Sequence, residues 1–127
     1  MMTLAAAITF VERISGGAVD KASRELFRHA LECLGNPQAK IPTFHVAGTN
    51  GKGAVSMMLS NGILSTGHTV GTYMSPFVYD VRERWLINGK PVSVDDFVLA
   101  TDKVMRIVLH IEQGNPSVST FEIKTLV

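Results

Sequence analysis

Apolar residues recur at helical spacing in several stretches of the chain. They predict amphipathic helices over residues 3–14, over residues 19–34 and from Val94 to Ile111, because positions i, i+3 and i+4 lie on one helix face. A further helix over residues 54–66, with one apolar side, follows a glycine-rich break. Ser119 and Glu122 have the spacing of a capping box, so a last helix is predicted to begin near Thr120.

Two short β-favouring runs flank the glycine-rich break and its helix. Residues 41–47 and 68–74 are predicted strands, and a strand–loop–helix–strand unit requires parallel strands with a right-handed crossover. Asn88-Gly89 predicts a two-residue hairpin between 85–87 and 90–92. Together these elements predict an α/β fold, a three-layer P-loop-type domain with a mainly parallel sheet.

Composition excludes several classes of protein. The 127 residues carry a net charge of +1 without any charge run, so neither a nucleic-acid partner nor a charged membrane surface is expected. A hydrophobic fraction of 46% argues against disorder, and a single cysteine excludes an intrachain disulfide. No apolar stretch is long enough to span a membrane, so a cytoplasmic location is expected.

The residues with the clearest chemical potential are those of the break, 48–53. Glycines let backbone N–H groups approach an anion, the following helix N-terminus adds partial positive charge, and Lys52 supplies an ammonium for phosphates. The strict P-loop pattern is not met, since Val46 stands at its first glycine and Gly53 at its Ser/Thr. The alternative is a glycine-rich turn with an incidental lysine. The strand before and the helix after favour phosphate binding.

The segment His45–Gly53 resembles the P-loop of the folylpolyglutamate synthase and dihydrofolate synthase family, which belongs to the Mur-ligase superfamily. Further segments resemble the same family in the same order: Leu34–Pro37, Ser75–Phe77, Arg82–Arg84 with Ile87–Gly89, and Thr120–Thr125. The resemblance extends from about residue 19 to Val127. Their combination is far more specific than any single motif.

The resemblance implies an ATP-dependent ligase. A folate or dihydropteroate carboxylate would become an acyl phosphate, and the amine of L-glutamate would displace phosphate to form an amide. Lys52 is the implied catalytic residue, Ser75 corresponds to the serine that ligates Mg²⁺, and the protein is expected to be a monomer. The implied ATP-binding residues are Gly48, Thr49, Asn50, Gly51, Lys52, Gly53 and Ala54.

Two positions depart from the family. Ala54 stands where the family usually has serine, which removes a hydroxyl near the phosphates, and Phe77 replaces the common histidine. The charged cluster from Asp80 to Arg84 is either a solvated loop or a loop facing the substrate. In the second case Phe77 and Arg82 are the candidate substrate residues.

The resemblance places residues 1–127 in the N-terminal part of a Mur-ligase ATP-binding domain. The remainder of that domain and the C-terminal glutamate-binding domain have no counterpart in these residues, so the chain alone is expected to be inactive. Two other interpretations stay open: a Mur-type amide ligase of cell-wall synthesis, and a non-catalytic nucleotide-binding fragment. Gly53 directly after Lys52 counts against the first, because Mur enzymes usually have threonine there.

Overall fold

The structure, a computed structural model, describes residues 2–13, 21–112 and 117–127. The chain divides into two compact units, one formed by residues 1–42 with 94–127 and the other by residues 43–93. The described α-helices are α1 (Leu4–Val11), α2 (Lys21–Cys33), α3 (Lys52–Leu64), α4 (Val94–Ile111) and α5 (Thr120–Leu126). The described strands are β1 (Gly71–Tyr73), β2 (Trp85–Ile87) and β3 (Lys90–Pro91), and short 3-10 helices cover Pro37–Ala39 and Val81–Arg84.

The predicted helices are present with small shifts at their ends. The Thr3 hydroxyl caps α1 by accepting from the Ala6 N–H at 3.2 Å, and Ser119 and Glu122 form the predicted capping box of α5. The predicted end at Ile14 and start at Val19 lie outside the described residues. None of the helices in the described ranges is both long and apolar enough to cross a membrane.

The helical unit has its core around α4, which packs against α1 and α2. The helical spacing of α4 turns Phe97, Val104 and Val108 inward, as the sequence pattern requires. The buried apolar residues of this unit are Ala7, Phe10, Val11, Ala30, Phe97, Val104, Val108, Val118, Ile123 and Leu126. These buried residues form a packed core, which agrees with the prediction from composition that the chain is folded.

The sheet of the second unit differs from the prediction. β1 pairs with β2 and β2 with β3, both antiparallel, so the expectation of a mainly parallel sheet is wrong for the described residues. Residues 41–47 form no strand, and Phe44 is 69% exposed. A strand forms only as part of a hydrogen-bonded ladder, and the described sheet consists of β1, β2 and β3 alone. The hairpin is confirmed: Asn88 and Gly89 have φ of 52° and 75°, as a type I′ turn requires.

The apolar side of α3 also differs from the prediction. The apolar side predicted for this helix consists of residues such as Val55, Met58 and Leu59, and all three are exposed, with Met58 at 72%. The one buried residue of α3 is Ser60, which faces β1. In the predicted unit with parallel strands, this side of the helix would pack on the sheet. The described residues form no parallel sheet, so these side chains are exposed.

Candidate functional site

The loop 48–53 has two glycines with positive φ and leads directly into α3. Gly51 is the N-cap of α3 with φ of 76°, and Gly48 has φ of 152°; side chains rarely adopt either value. No side chain caps the N-terminus of α3. Its first N–H groups are therefore available to an acceptor from outside the loop, with the helix dipole favouring negative charge.

Lys52 closes back onto this loop. Its Nζ donates to the carbonyl oxygen of Gly48 at 2.7 Å and to that of Thr49 at 3.2 Å. Both acceptors are neutral, so the ammonium keeps its full charge at the mouth of the loop. The arrangement places a cation beside the free N–H groups of α3, as phosphate binding requires.

A buried hydroxyl pair fixes α3 against β1. The Oγ of Ser60 and the Oγ1 of Thr72 lie 2.6 Å apart. Only residues 65–70 connect α3 to β1, so the chain reverses there and we expect the two elements to run in opposite directions. Lys52 then lies about 12 Å from Ser60 along the helix, and Ser75 about 10 Å beyond Thr72 in the same direction. We therefore expect the loop 48–53 and Ser75 to lie toward the same end of the unit.

The residues after β1 present Ser75 to solvent. Ser75 is exposed and precedes Pro76 through a cis peptide bond. Among the described residues there is no group of three or more metal-ligating His, Cys, Asp or Glu side chains. A single hydroxyl fits magnesium all the same, because this ion keeps several waters and is held largely by substrate phosphates.

The charged cluster after Ser75 is an ordered loop. Glu83 accepts from three backbone N–H groups, those of Val78, Tyr79 and Asp80, at 2.8–3.3 Å. Asp80 caps the 3-10 helix by accepting from the Arg82 N–H at 2.9 Å. The loop therefore holds Tyr79, which is 92% exposed, at its tip.

Arg82, a predicted substrate residue, is engaged within this loop. Its Nε and Nη2 donate to the Asp80 carboxylate at 2.7–3.1 Å, and its Nη1 donates to the Val92 carbonyl at 3.1 Å. These bonds with Arg82 lower the pKa of Asp80, and the hydrogen bonds with Asp80 raise the pKa of Arg82. Sequence patterning located the cluster but did not reveal which charges pair.

The pairing predicts a pH dependence of stability. Because the native pKa of Asp80 lies below the ordinary value of about 3.9, its contribution is complete above that value and is lost as the pH falls through the native pKa. Asp80→Asn keeps a capping side chain but loses the charge, so we expect about 0.5–1 kcal/mol of destabilisation at neutral pH, in the range of exposed pairs. Urea unfolding of both proteins should show this difference shrinking as the pH falls below about 3.9.

Arg82→Gln provides the control for this prediction. In that background Asp80→Asn should have little effect at any pH, because the partner charge is already gone. An undiminished effect of Asp80→Asn in the Arg82→Gln protein would show that the ion pair does not contribute.

Comparisons with known proteins relate the chain to one family, although no family model matches it. The chain is 38% identical over 95 residues to a dihydrofolate synthase/folylpolyglutamate synthase of Bacillus subtilis, covering 72% of this chain and 22% of the relative. It is 36% identical over 97 residues to a folylpolyglutamate synthase of Lacticaseibacillus casei, covering 75% and 23%. It spans about a fifth of the length of these curated relatives.

Solved structures agree with the sequence matches. The folylpolyglutamate synthetase of Lactobacillus casei superposes with a TM-score of 0.88 at 29% identity, covering 98% of this chain and 32% of that one. A folylpolyglutamate synthase complex with AMPPCP and folate gives a TM-score of 0.89 at 28% identity, covering 98% and 31%. The partial coverage fits the N-terminal fragment that the motifs predict. The resemblance is therefore confirmed. This chain is related to the folylpolyglutamate synthases and dihydrofolate synthases and corresponds to part of such a protein.

Proposed function

We propose that this chain supplies the nucleotide-binding part of an ATP-dependent ligase that adds L-glutamate to folates or dihydropteroate. The observation that carries the proposal is the loop 48–53, where the uncapped N-terminus of α3 and the Lys52 ammonium lie together. Relatives of the chain have been solved with ADP and with AMPPCP and folate, which supports nucleotide and folate as ligands.

Each predicted residue has a proposed part in the chemistry. The N–H groups of residues 48–54 hold phosphate oxygens, and Lys52 neutralises the charge that develops on them during phosphoryl transfer. The Ser75 hydroxyl is a proposed Mg²⁺ ligand, and magnesium, when bound, adds charge neutralisation at the phosphates. Phe77 and Arg82 are the residues proposed to contact the substrate. Arg82 would have to release Asp80 to bind a substrate, whereas Phe77 is already half-exposed.

The reaction we propose has two steps, formation of an acyl phosphate and formation of the amide. A substrate carboxylate oxygen attacks the γ-phosphorus of ATP, forming an acyl phosphate and releasing ADP. The glutamate amine then attacks the acyl carbon, forming the amide as phosphate leaves with the bond electrons and the amine loses a proton. We assign residues 1–127 to the N-terminal part of a Mur-type ATP-binding domain, and the chain alone is expected to be inactive.

A second candidate function is nucleotide binding without catalysis. It is a candidate because the loop 48–53 offers Lys52 and the N-terminus of α3 to a phosphate, which is all that nucleotide binding alone requires. A Mur-type ligase of cell-wall synthesis is disfavoured, because the relatives reported above are folate enzymes by name. We further propose a monomer in the cytoplasm, without nucleic-acid or membrane partners.

The proposal is tested by Mg-ATP binding to this chain, measured by calorimetry. We expect saturable binding that weakens at least about tenfold, or 1.4 kcal/mol, in Lys52→Ala, because the variant lacks the cation beside the phosphates. Lys103→Ala is the matched control, since Lys103 is an exposed lysine of α4 in the other unit. It should bind Mg-ATP as the unchanged chain does.

Ala54→Ser separates the two ways in which binding could fail. Tighter binding in this variant would mean that the missing hydroxyl weakens the loop. No binding by either protein, both folded by circular dichroism, would reject nucleotide binding by the isolated chain. Equal binding by Lys52→Ala and Lys103→Ala would reject the role of Lys52.

A further inference from the structure

We propose that Arg84 binds an anionic oxygen pair of a substrate, either a carboxylate of the folate or a phosphate of the nucleotide. The inference rests on the proposed function and names a residue that the motifs did not single out for binding. It starts from a difference between two neighbouring arginines. The Arg82 guanidinium donates to Asp80 and Val92, whereas among the described residues the Nε of Arg84 has no acceptor.

The acids nearest to Arg84 in sequence are occupied by other partners. Asp80 pairs with Arg82 at 2.7 Å, and Glu83 accepts from three backbone N–H groups of its own loop. In the described residues, the guanidinium of Arg84 makes no ion pair, and its buried Nε has no hydrogen-bond acceptor. A buried donor without an acceptor is unfavourable, which marks this guanidinium as not satisfied within its own loop. Arg84 is half-buried, so a ligand would meet the exposed part of the residue and not the buried Nε.

A backbone hydrogen bond fixes the position of Arg84 next to β1. The carbonyl of Arg84 accepts from the Met74 N–H at 3.0 Å, which holds Arg84 level with the end of β1. Tyr73 and Trp85 are register partners of β1 and β2, so this bond continues the ladder toward Ser75. Arg84 is therefore anchored on the strand pair that leads to the predicted magnesium ligand.

An aromatic ring supports the charged group. The Arg84 Cζ lies 5.7 Å from the centroid of the Phe77 ring, within the range of a cation–π contact. A guanidinium on an aromatic face keeps N–H groups at its edge, and this edge matches a carboxylate or phosphate in a two-point contact. The contact also gives a reason for phenylalanine at position 77, where the family usually has histidine.

The test follows the Arg84 Nε–Hε resonance of the ¹⁵N-labelled chain. The resonance is assigned by its loss in Arg84→Gln, and the chain is titrated with folate and separately with Mg-AMPPCP. We expect one ligand to shift it and to bind about tenfold more weakly to Arg84→Gln, or 1.4 kcal/mol. Arg84→Lys should recover part of the affinity, because it keeps the charge without the fork.

Three comparisons make the outcome specific. Arg28→Gln removes an exposed arginine of α2 and should leave both affinities unchanged. A shift by folate that the folate dimethyl ester does not produce identifies a carboxylate, and a shift by Mg-AMPPCP identifies a phosphate. A structural role alone would change the unfolding midpoint of Arg84→Gln without any ligand-induced shift in the unchanged chain.

The inference is overturned if neither ligand shifts the resonance and Arg84→Gln binds both with unchanged affinity. That result leaves the proposed function standing wherever Mg-ATP binding still depends on Lys52. Conversely, a folate-induced shift in a chain that binds no nucleotide would support Arg84 and reject the nucleotide part of the proposed function.

Discussion

Phe97→Ala is expected to lower the free energy of unfolding by about 3–5 kcal/mol, as large truncations of buried aromatic residues do. Phe97 is 1% exposed and lies in the first part of α4, the helix on which α1 and α2 pack. Removing the ring takes away its buried apolar area and leaves a cavity that the surrounding helices fill only in part. Urea unfolding followed by circular dichroism measures the effect.

Phe121→Ala is the matched control for this prediction. It makes the same chemical change in the same unit, but Phe121 is 63% exposed, so we expect less than about 1 kcal/mol. Similar losses in the two variants would contradict the assignment of the core to α4.

The second large effect is expected from Glu122→Ala, at about 2–3 kcal/mol, since buried hydrogen bonds to a charged group are strong. The Glu122 carboxylate is buried and accepts from the Ser119 N–H at 2.9 Å, the Ser119 hydroxyl at 2.7 Å and the Ser23 hydroxyl at 2.9 Å. These bonds complete the capping box of α5 and join α5 to α2. Alanine removes both functions together.

Two variants show whether the network or the charge is responsible. Glu122→Gln keeps the side-chain length and an oxygen acceptor, so the loss should fall to about 1 kcal/mol, the size of one ordinary hydrogen bond. Glu25→Ala removes an exposed glutamate of α2 and should have little effect. The network has no such role if Glu122→Ala unfolds at the same urea concentration as Glu25→Ala.

Local signals predicted most of the fold correctly. Ser119 and Glu122 lie three residues apart, and Asn88-Gly89 fixes its turn within two residues, so neighbours in sequence determine both structures. Strand pairing depends on segments far apart in sequence, and there the prediction was wrong. Residues 41–47 have strand-like composition, but the described residues pair β1 with β2.

The candidate site was predictable to the same extent. Its loop follows from glycines and a lysine that lie next to each other, although α3 begins at Lys52, two residues before the predicted start. Partner choice in the 80–84 cluster was not predictable, because four charges within five residues allow several pairings. The structure shows that Asp80 pairs with Arg82 and that Glu83 accepts hydrogen bonds from backbone N–H groups. The roles of the site residues stay predictions.

The contact of Lys52 with its own loop affects how much this residue would contribute to the free energy of the proposed nucleotide binding. If phosphate binds as proposed, the ammonium would exchange the Gly48 and Thr49 carbonyls for phosphate oxygens, so it would contribute to affinity only the difference between two bonded states. Since the carbonyls are neutral and phosphates are charged, the exchange favours phosphate most strongly at low ionic strength. In the proposed complex, Lys52 would therefore exchange one set of acceptors for another, and the salt concentration would set how strongly this exchange favours the nucleotide.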